Sequence, residues 1–245
     1  MHLSVKAEHF MVSNFKVNVK CDNFVLVLNA LVLSKHFLIQ TYRNMKVILG
    51  SCSKWRRQLA KQYLNIDMEL MPAGIDEREA AKSANPNDVS DHPMVIAKAK
   101  LAHLLQKVKE QNTLIMCFDT IVCCNGKILE KPRDQKECIE MIKTWAKKDT
   151  IIEVYTAVAI GLTKPRIERY ECQRADIRMT RDLMEDEISE YIKKSNCIVS
   201  SGAVVVEDLI DVNAATVDGD QTIIEGLPIE ACKRIIKEIE ELTKP

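Results

Sequence analysis

Glycine and proline are scarce in this chain, at seven each in 245 residues, and aromatic residues make up only 5%. No stretch reads as a low-complexity linker, and each glycine that remains is informative. A surplus of charge is also missing. Lys plus Arg and Asp plus Glu both number 35, so the formal net charge is zero. A grip on a polyanion must then come from local clustering rather than from the overall field. A dedicated binder of nucleic-acid polymer usually carries a basic excess, so that class is disfavoured.

The nine cysteines are an odd number, and none has C-x-x-C spacing. Neither a zinc site nor a redox motif is signalled. Scattered thiols fit a reducing, cytoplasmic setting better than a disulfide framework. A membrane-length apolar run is lacking too. Phe24–Leu33 is interrupted by Asn29 and followed by Ser34, Lys35 and His36, whereas a span needs about 20 apolar residues. A secretory signal would begin nearer the start and end in small residues. Residues 1–44 therefore read as an accessory N-terminal extension of unknown role, with no membrane partner. Residues 45–245 form the main domain.

What is present is a typical globular mixture, 47% apolar and 29% charged, long enough to bury a core without staples. Strand and helix patterns alternate. Met45–Leu49 reads as a strand, Gly50–Ser53 as a turn, and Lys54–Leu64 as a helix capped by Ser53. Asp67–Met71 is a short strand and Pro93–Val108 a helix. Thr113–Phe118 is a buried strand that ends at Asp119. Asn125-Gly126 is a two-residue turn between Ile121–Cys124 and Lys127–Leu129. Asp134–Ala146 and Arg181–Lys194 are helices. Ile151–Leu162 and Arg166–Met179 are long strands. Gly202–Val206 reads as a strand, Asp218-Gly219 as a turn and Pro228–Leu242 as the closing helix. The expected fold is α/β: a curved mixed β-sheet flanked by helices, with a ligand cleft at the strand ends.

Four places could carry chemistry. Gly50-Ser51-Cys52-Ser53-Lys54-Trp55-Arg56 runs from a strand into a helix start. Free backbone N–H groups there attract anions, and Arg56 adds a fork suited to phosphate. The same residues also fit a capped surface helix. Asp76 and Glu77 supply oxygen donors for a divalent cation, or a solvated loop. Asp119 is an acid at the end of an apolar strand, costly unless paired, metal-bound or catalytic. Lys98 and Lys100 lie on one helix, where neighbours at i, i+2 do not share a face. Lys131, after the hairpin, suits either the same cleft or an exposed turn.

These pieces, in this order, resemble the Maf-like nucleotide pyrophosphatases. The matching residues are Ser51, Ser53 and Arg56; Asp76-Glu77; Ile96-Ala97-Lys98-Ala99-Lys100; Asp119-Thr120; Lys131-Pro132; Tyr155-Thr156; Ser201-Gly202-Ala203; and Gly226-Leu227-Pro228. The resemblance covers about residues 45–242. It implies hydrolysis of a nucleoside triphosphate between the α- and β-phosphates with a divalent metal, Mg²⁺ or Mn²⁺. Carried over by position, Asp119 is the general base, and Glu77 with Asp119 holds metal or orients water. Ser51, Ser53, Arg56, Lys100 and Lys131 bind phosphate. The chain departs from the pattern at Lys54, where proline is common, and at Phe118, where a small residue is usual. A homodimer is compatible with the resemblance.

Three positions separate the family's types. The pyrimidine type carries Arg, Thr and Gln, and the 7-methylguanine type Trp, Gln and Glu. Here they are Trp55, Thr120 and Glu207. Two of the three favour 7-methyl-GTP, and an indole face and a carboxylate both suit a cationic purine. The expected substrate is therefore 7-methyl-GTP, with dTTP and UTP, which Thr120 favours, as the alternative. A third possibility is a nucleotide-binding regulator with weak turnover.

Overall fold

The computed structural model describes residues 45–244. The expected extension at residues 1–44 lies outside them. Among the described residues no helix is long and apolar enough to cross a membrane.

The centre is a seven-stranded mixed sheet. Its strands are β1 (Lys46–Leu49), β2 (Glu69–Leu70), β3 (Thr113–Cys124), β4 (Lys127–Leu129), β5 (Ile151–Leu162), β6 (Ile167–Met179) and β7 (Ala215–Asp218). The order is β2-β1-β3-β5-β6-β7, with β4 pairing on β3. β1 runs parallel to β2 and β3, and the remaining pairs are antiparallel. The helices are α1 (Lys54–Leu59), α2 (Glu77–Ala81), α3 (Asp91–Lys107), α4 (Gln135–Trp145), α5 (Glu185–Lys194), α6 (Val206–Asp211), α7 (Gln221–Ile224) and α8 (Ile229–Thr243). A π-helical turn, Ala60–Leu64, continues α1.

Alternation along the strands divides the core. Ile115, Cys117, Ala157 and Ala159 face α3, where Ala97, Leu101 and Leu104 cover them. Val122, Cys124, Ile152 and Val154 face the other way, against Cys138, Ile142 and Trp145 of α4 and Ile188 and Tyr191 of α5. The eight described cysteines are free thiols.

The expected mixed sheet between helices is present, with three local corrections. β3 does not stop before Asp119 but runs on to Cys124, because β5 pairs with it throughout. Asp67–Met71 shortens to a two-residue strand. Gly202–Val206 is not a strand. Gly202 adopts a left-handed φ of 64° in a 3₁₀ turn, and α6 starts at Val206. Side chains satisfy that backbone in place of a neighbouring strand: Trp145 Nε1 donates to the Gly202 carbonyl at 2.9 Å and the Tyr191 hydroxyl to the Ala203 carbonyl at 3.0 Å.

The edge of β3 that faces β1 is split. β1 pairs with Thr113–Met116, and β4 with Val122–Cys124. Between them, residues 117–121 pair with β5 alone. The chain leaving β1 must turn away at this gap, and the Gly50 N–H closes the turn on the Met116 carbonyl at 2.8 Å.

Trp145 is fully buried, so Trp145→Phe strands the Gly202 carbonyl in the core. The expected loss is about 1–3 kcal/mol. Urea unfolding of the whole chain should show a lower midpoint with an unchanged slope.

Candidate active site

The gap in the β3 edge opens into a cleft of about 1260 Å³. Its wall includes Ser51, Ser53, Arg56, Glu77, Lys100, Asp119, Thr120 and Lys131. These eight, scattered over 81 positions of sequence (51 to 131), are brought to one place. The Gly50–Ser53 turn holds its own shape. Ser53 Oγ accepts from the Arg56 N–H at 3.2 Å and Ser51 Oγ from the Ser53 N–H at 3.1 Å. Asp76 is spent on capping α2, accepting from the Glu79 N–H at 3.1 Å.

Asp119 and Thr120 are neighbours on β3 and so project from opposite faces. On the α3 face, His92, Ile96 and Lys100 follow one another at helical spacing and reach the cleft. Lys98 lies off this face, with its ammonium 4.8 Å from the Tyr170 ring centre. Lys100 is buried. Its Nζ stands 2.8 Å from Asp119 Oδ1 and 2.9 Å from Glu77 Oε1, and donates to the Phe118 carbonyl at 3.3 Å. All three ammonium protons are therefore engaged. Burial pushes the Asp119 carboxyl above its ordinary range, and Lys100 opposes that without cancelling it. The result is a carboxylate more basic than one in water. Burial likewise pushes the Cys117 thiol up to about 12, so it stays protonated.

On the other face, four groups form one chain of hydrogen bonds. Arg56 Nη2 donates to Thr120 Oγ1 at 3.0 Å, Thr120 and Thr156 hydroxyls lie 3.0 Å apart, and Thr156 donates to the Ile223 carbonyl at 2.7 Å. A guanidinium only donates and a carbonyl only accepts. The direction is thereby fixed, and Thr120 must give its proton to Thr156. Toward the cleft Thr120 keeps only a lone pair. Arg56 Nε also donates to the Gly226 carbonyl at 2.9 Å, and its guanidinium sits 5.8 Å over the Phe118 ring. Burial pulls the Arg56 pKa down, while Asp119 and Glu77 hold it up.

The two remaining predicted residues fall elsewhere. Trp55 is 52% exposed and is not among the cleft's lining residues. Glu207 is an exposed residue in the first turn of α6 rather than at a strand end, also off the lining. Sequence reading passed over Glu225 and His92, which do line the cleft. Glu225 Oε1 accepts from Gln221 at 3.1 Å, whereas its enclosed Oε2 has no hydrogen-bond partner. Burial, with Glu207 next, pushes the Glu225 carboxyl up. An ordinary Glu before Gly-Leu-Pro gives no signal of this in sequence.

Among the described residues no three His, Cys, Asp or Glu side chains gather to cage a metal. Glu77 and Asp119, joined through one ammonium, are a pair of hard oxygen donors. That set fits a cation of the Mg²⁺ type, which binds through one or two carboxylates and completes its shell with water and substrate phosphates.

A cleft at a split sheet edge that brings Arg56, Lys100 and Lys131 beside a basic carboxylate suits chemistry on phosphate esters or anhydrides. The sequence comparisons sharpen this class: residues 46–239 match the model of the family described as Maf-like protein. The chain belongs to that family. A dTTP/UTP pyrophosphatase of Clostridium tetani is 29% identical over 197 residues, covering 80% of this chain and 98% of that protein. One of Clostridium novyi is 29% identical, covering 78% and 96%. One of Caldanaerobacter subterraneus is 28% identical, covering 79% and 88%.

Replacing Lys100 by Met leaves the Asp119 charge buried and unanswered, and the expected loss of stability at pH 8 is about 3 kcal/mol. Asp119 titrates above its usual 3.8 in the fold, and losing Lys100 raises it further. Its ionised form thus weighs against folding at high pH, and protonation relieves that. The gap between variant and wild type should narrow steadily as pH falls from 8 toward 4. A pH-independent gap in denaturant titrations would refute the ion-pair account.

Proposed function

We propose that this chain hydrolyses UTP and dTTP to the nucleoside monophosphate and pyrophosphate. It is a hydrolase of the nucleoside triphosphate pyrophosphatase class. The observation that carries the reading is Asp119, a basic carboxylate fixed by Lys100 in a buried strand and facing a cleft walled by Ser51, Ser53 and Arg56.

Displacement at phosphorus depends on positioning and charge neutralisation more than on covalent chemistry. Ser51 and Ser53 present hydroxyls at the start of α1, and Arg56 and Lys131 bring positive charge to the phosphate oxygens. Lys100 holds Asp119 in place and supplies a third cation beside it. Asp119 takes the proton of the attacking water. Glu77 and Asp119 would hold a divalent cation, Mg²⁺ or Mn²⁺, which when bound neutralises phosphate charge and acidifies water.

The choice of base rests on Thr120. It lines the cleft with only a lone pair to offer, which suits the N3–H of uracil or thymine. Trp55 and Glu207 do not line the cleft, and the similar bacterial proteins carry the name dTTP/UTP pyrophosphatase. A second reading, 7-methyl-GTP, draws support from Glu225. Its unpaired oxygen, close to Glu207, suits a cationic base with several N–H donors. A regulator without turnover has no need of a base held as Asp119 is.

Pyrophosphate release by the full chain, with Mg²⁺ or Mn²⁺, should be fastest on UTP and dTTP in a panel with CTP, GTP and 7-methyl-GTP. Fastest release from 7-methyl-GTP would transfer the assignment to the second reading. Binding without release would make the protein a regulator. Asp119→Asn should lower kcat by about 10²–10⁴-fold while nucleotide binding persists.

A further inference from the structure

Thr156 lies outside every role assigned above. It is completely buried on β5, directly across from Thr120 in the sheet register, and is not among the residues lining the cleft. We propose that Thr156 is the positioning residue for Arg56, setting both of its anchors through one hydroxyl. This rests on the reading that Arg56 engages the substrate's phosphates.

The first anchor is Thr120. Its hydroxyl accepts from Arg56 at 3.0 Å and gives its own proton to Thr156. Without that acceptor the Thr120 proton would need another partner, and the hydroxyl would be free to turn. The second anchor is the Gly226 carbonyl, which accepts from Arg56 Nε at 2.9 Å. Gly226 belongs to a turn closed by its own N–H on the Ile223 carbonyl at 3.0 Å. The Thr156 hydroxyl donates to that same carbonyl at 2.7 Å. Both lone pairs of the Ile223 oxygen are thus used, and the turn is tied to the sheet. The fit around the guanidinium is close. A Cβ on Gly226 would stand 3.0 Å from Arg56 Nη2 and 3.0 Å from Thr120 Oγ1. One buried hydroxyl therefore fixes the strand side and the loop side of the same cation, from a position the substrate never touches.

A double-mutant cycle on kcat/KM tests this in the full-length protein. Thr156→Val keeps the volume and removes the hydroxyl. It should lower kcat/KM for the preferred triphosphate by about tenfold, in keeping with a displacement of well under 1 Å, while thermal unfolding confirms a folded protein. Thr156→Ser should restore most of the rate. Arg56→Ala alone should cost about 10²-fold. The decisive readout is the combination: with Arg56 already removed, Thr156→Val should cost much less than its tenfold alone, keeping only the share that passes through Thr120 to the base, because interacting residues are not additive. A double variant whose loss is the product of the two single losses would overturn the proposal and reduce Thr156 to a packing residue. An Arg56→Ala protein of near-normal activity would instead refute the phosphate role of Arg56, and the positioning role with it. If the valine variant does not fold, Thr156→Cys, whose thiol is a weak donor, enters the same cycle under the same criterion.

Discussion

A charged carboxylate in the middle of an apolar strand is the constraint around which the described fold is arranged. Asp119 follows Cys117 and Phe118, both wholly buried, and alone it would weigh several kcal/mol against folding. Lys100 answers it from α3, and that helix reaches the spot because Ala97, Leu101 and Leu104 pack against the sheet. The same ammonium binds Glu77 at 2.9 Å and so fastens the first residue of α2 beside the strand. One positive charge against two negatives leaves a local excess of negative charge. Such a place attracts a cation, and the neighbouring Arg56 and Lys131 attract the anion that would come with it.

The cleft combines two designs on the two faces of one strand. The Asp119 face works by ionic contacts, with strength that depends on protonation. The Thr120 face works by a directed chain of neutral hydroxyls, with a polarity set at its ends by a guanidinium and a carbonyl. The first suits proton transfer. The second suits holding the Arg56 guanidinium in register with the strand. Because adjacent residues of a strand point oppositely, the dipeptide Asp119-Thr120 delivers both without any extra structural element.

Much of this was legible in the sequence where the physics is local. Ser53 before a helical pattern is a cap, and it does cap α1. Asn125-Gly126 is a turn, and it joins β3 to β4. An acid in an apolar run signalled Asp119, although the strand was read as ending there. Helical spacing said that only one of Lys98 and Lys100 could reach the cleft, and Lys100 does. What failed or stayed hidden depends on contacts distant in sequence. The run from Gly202 to Val206 looks like a strand, but Trp145 and Tyr191 supply its hydrogen bonds and Gly202 turns the chain. Thr156 was visible in a motif, yet its partner at Ile223 lies 67 residues away. No spacing rule reveals that Glu225 reaches the cleft wall while Trp55 does not.

The seating of α3 on the sheet ties the cleft to a position far along β5. Gly161 on β5 leaves so little room that a methyl group there would meet Leu105 at 3.1 Å and Leu101 at 3.2 Å. Leu101 is the residue next to Lys100. Side-chain bulk at Gly161 would therefore press on the helix one residue from the ammonium that holds Asp119 and Glu77. Room left empty on β5 is in this sense part of what seats the two carboxylates.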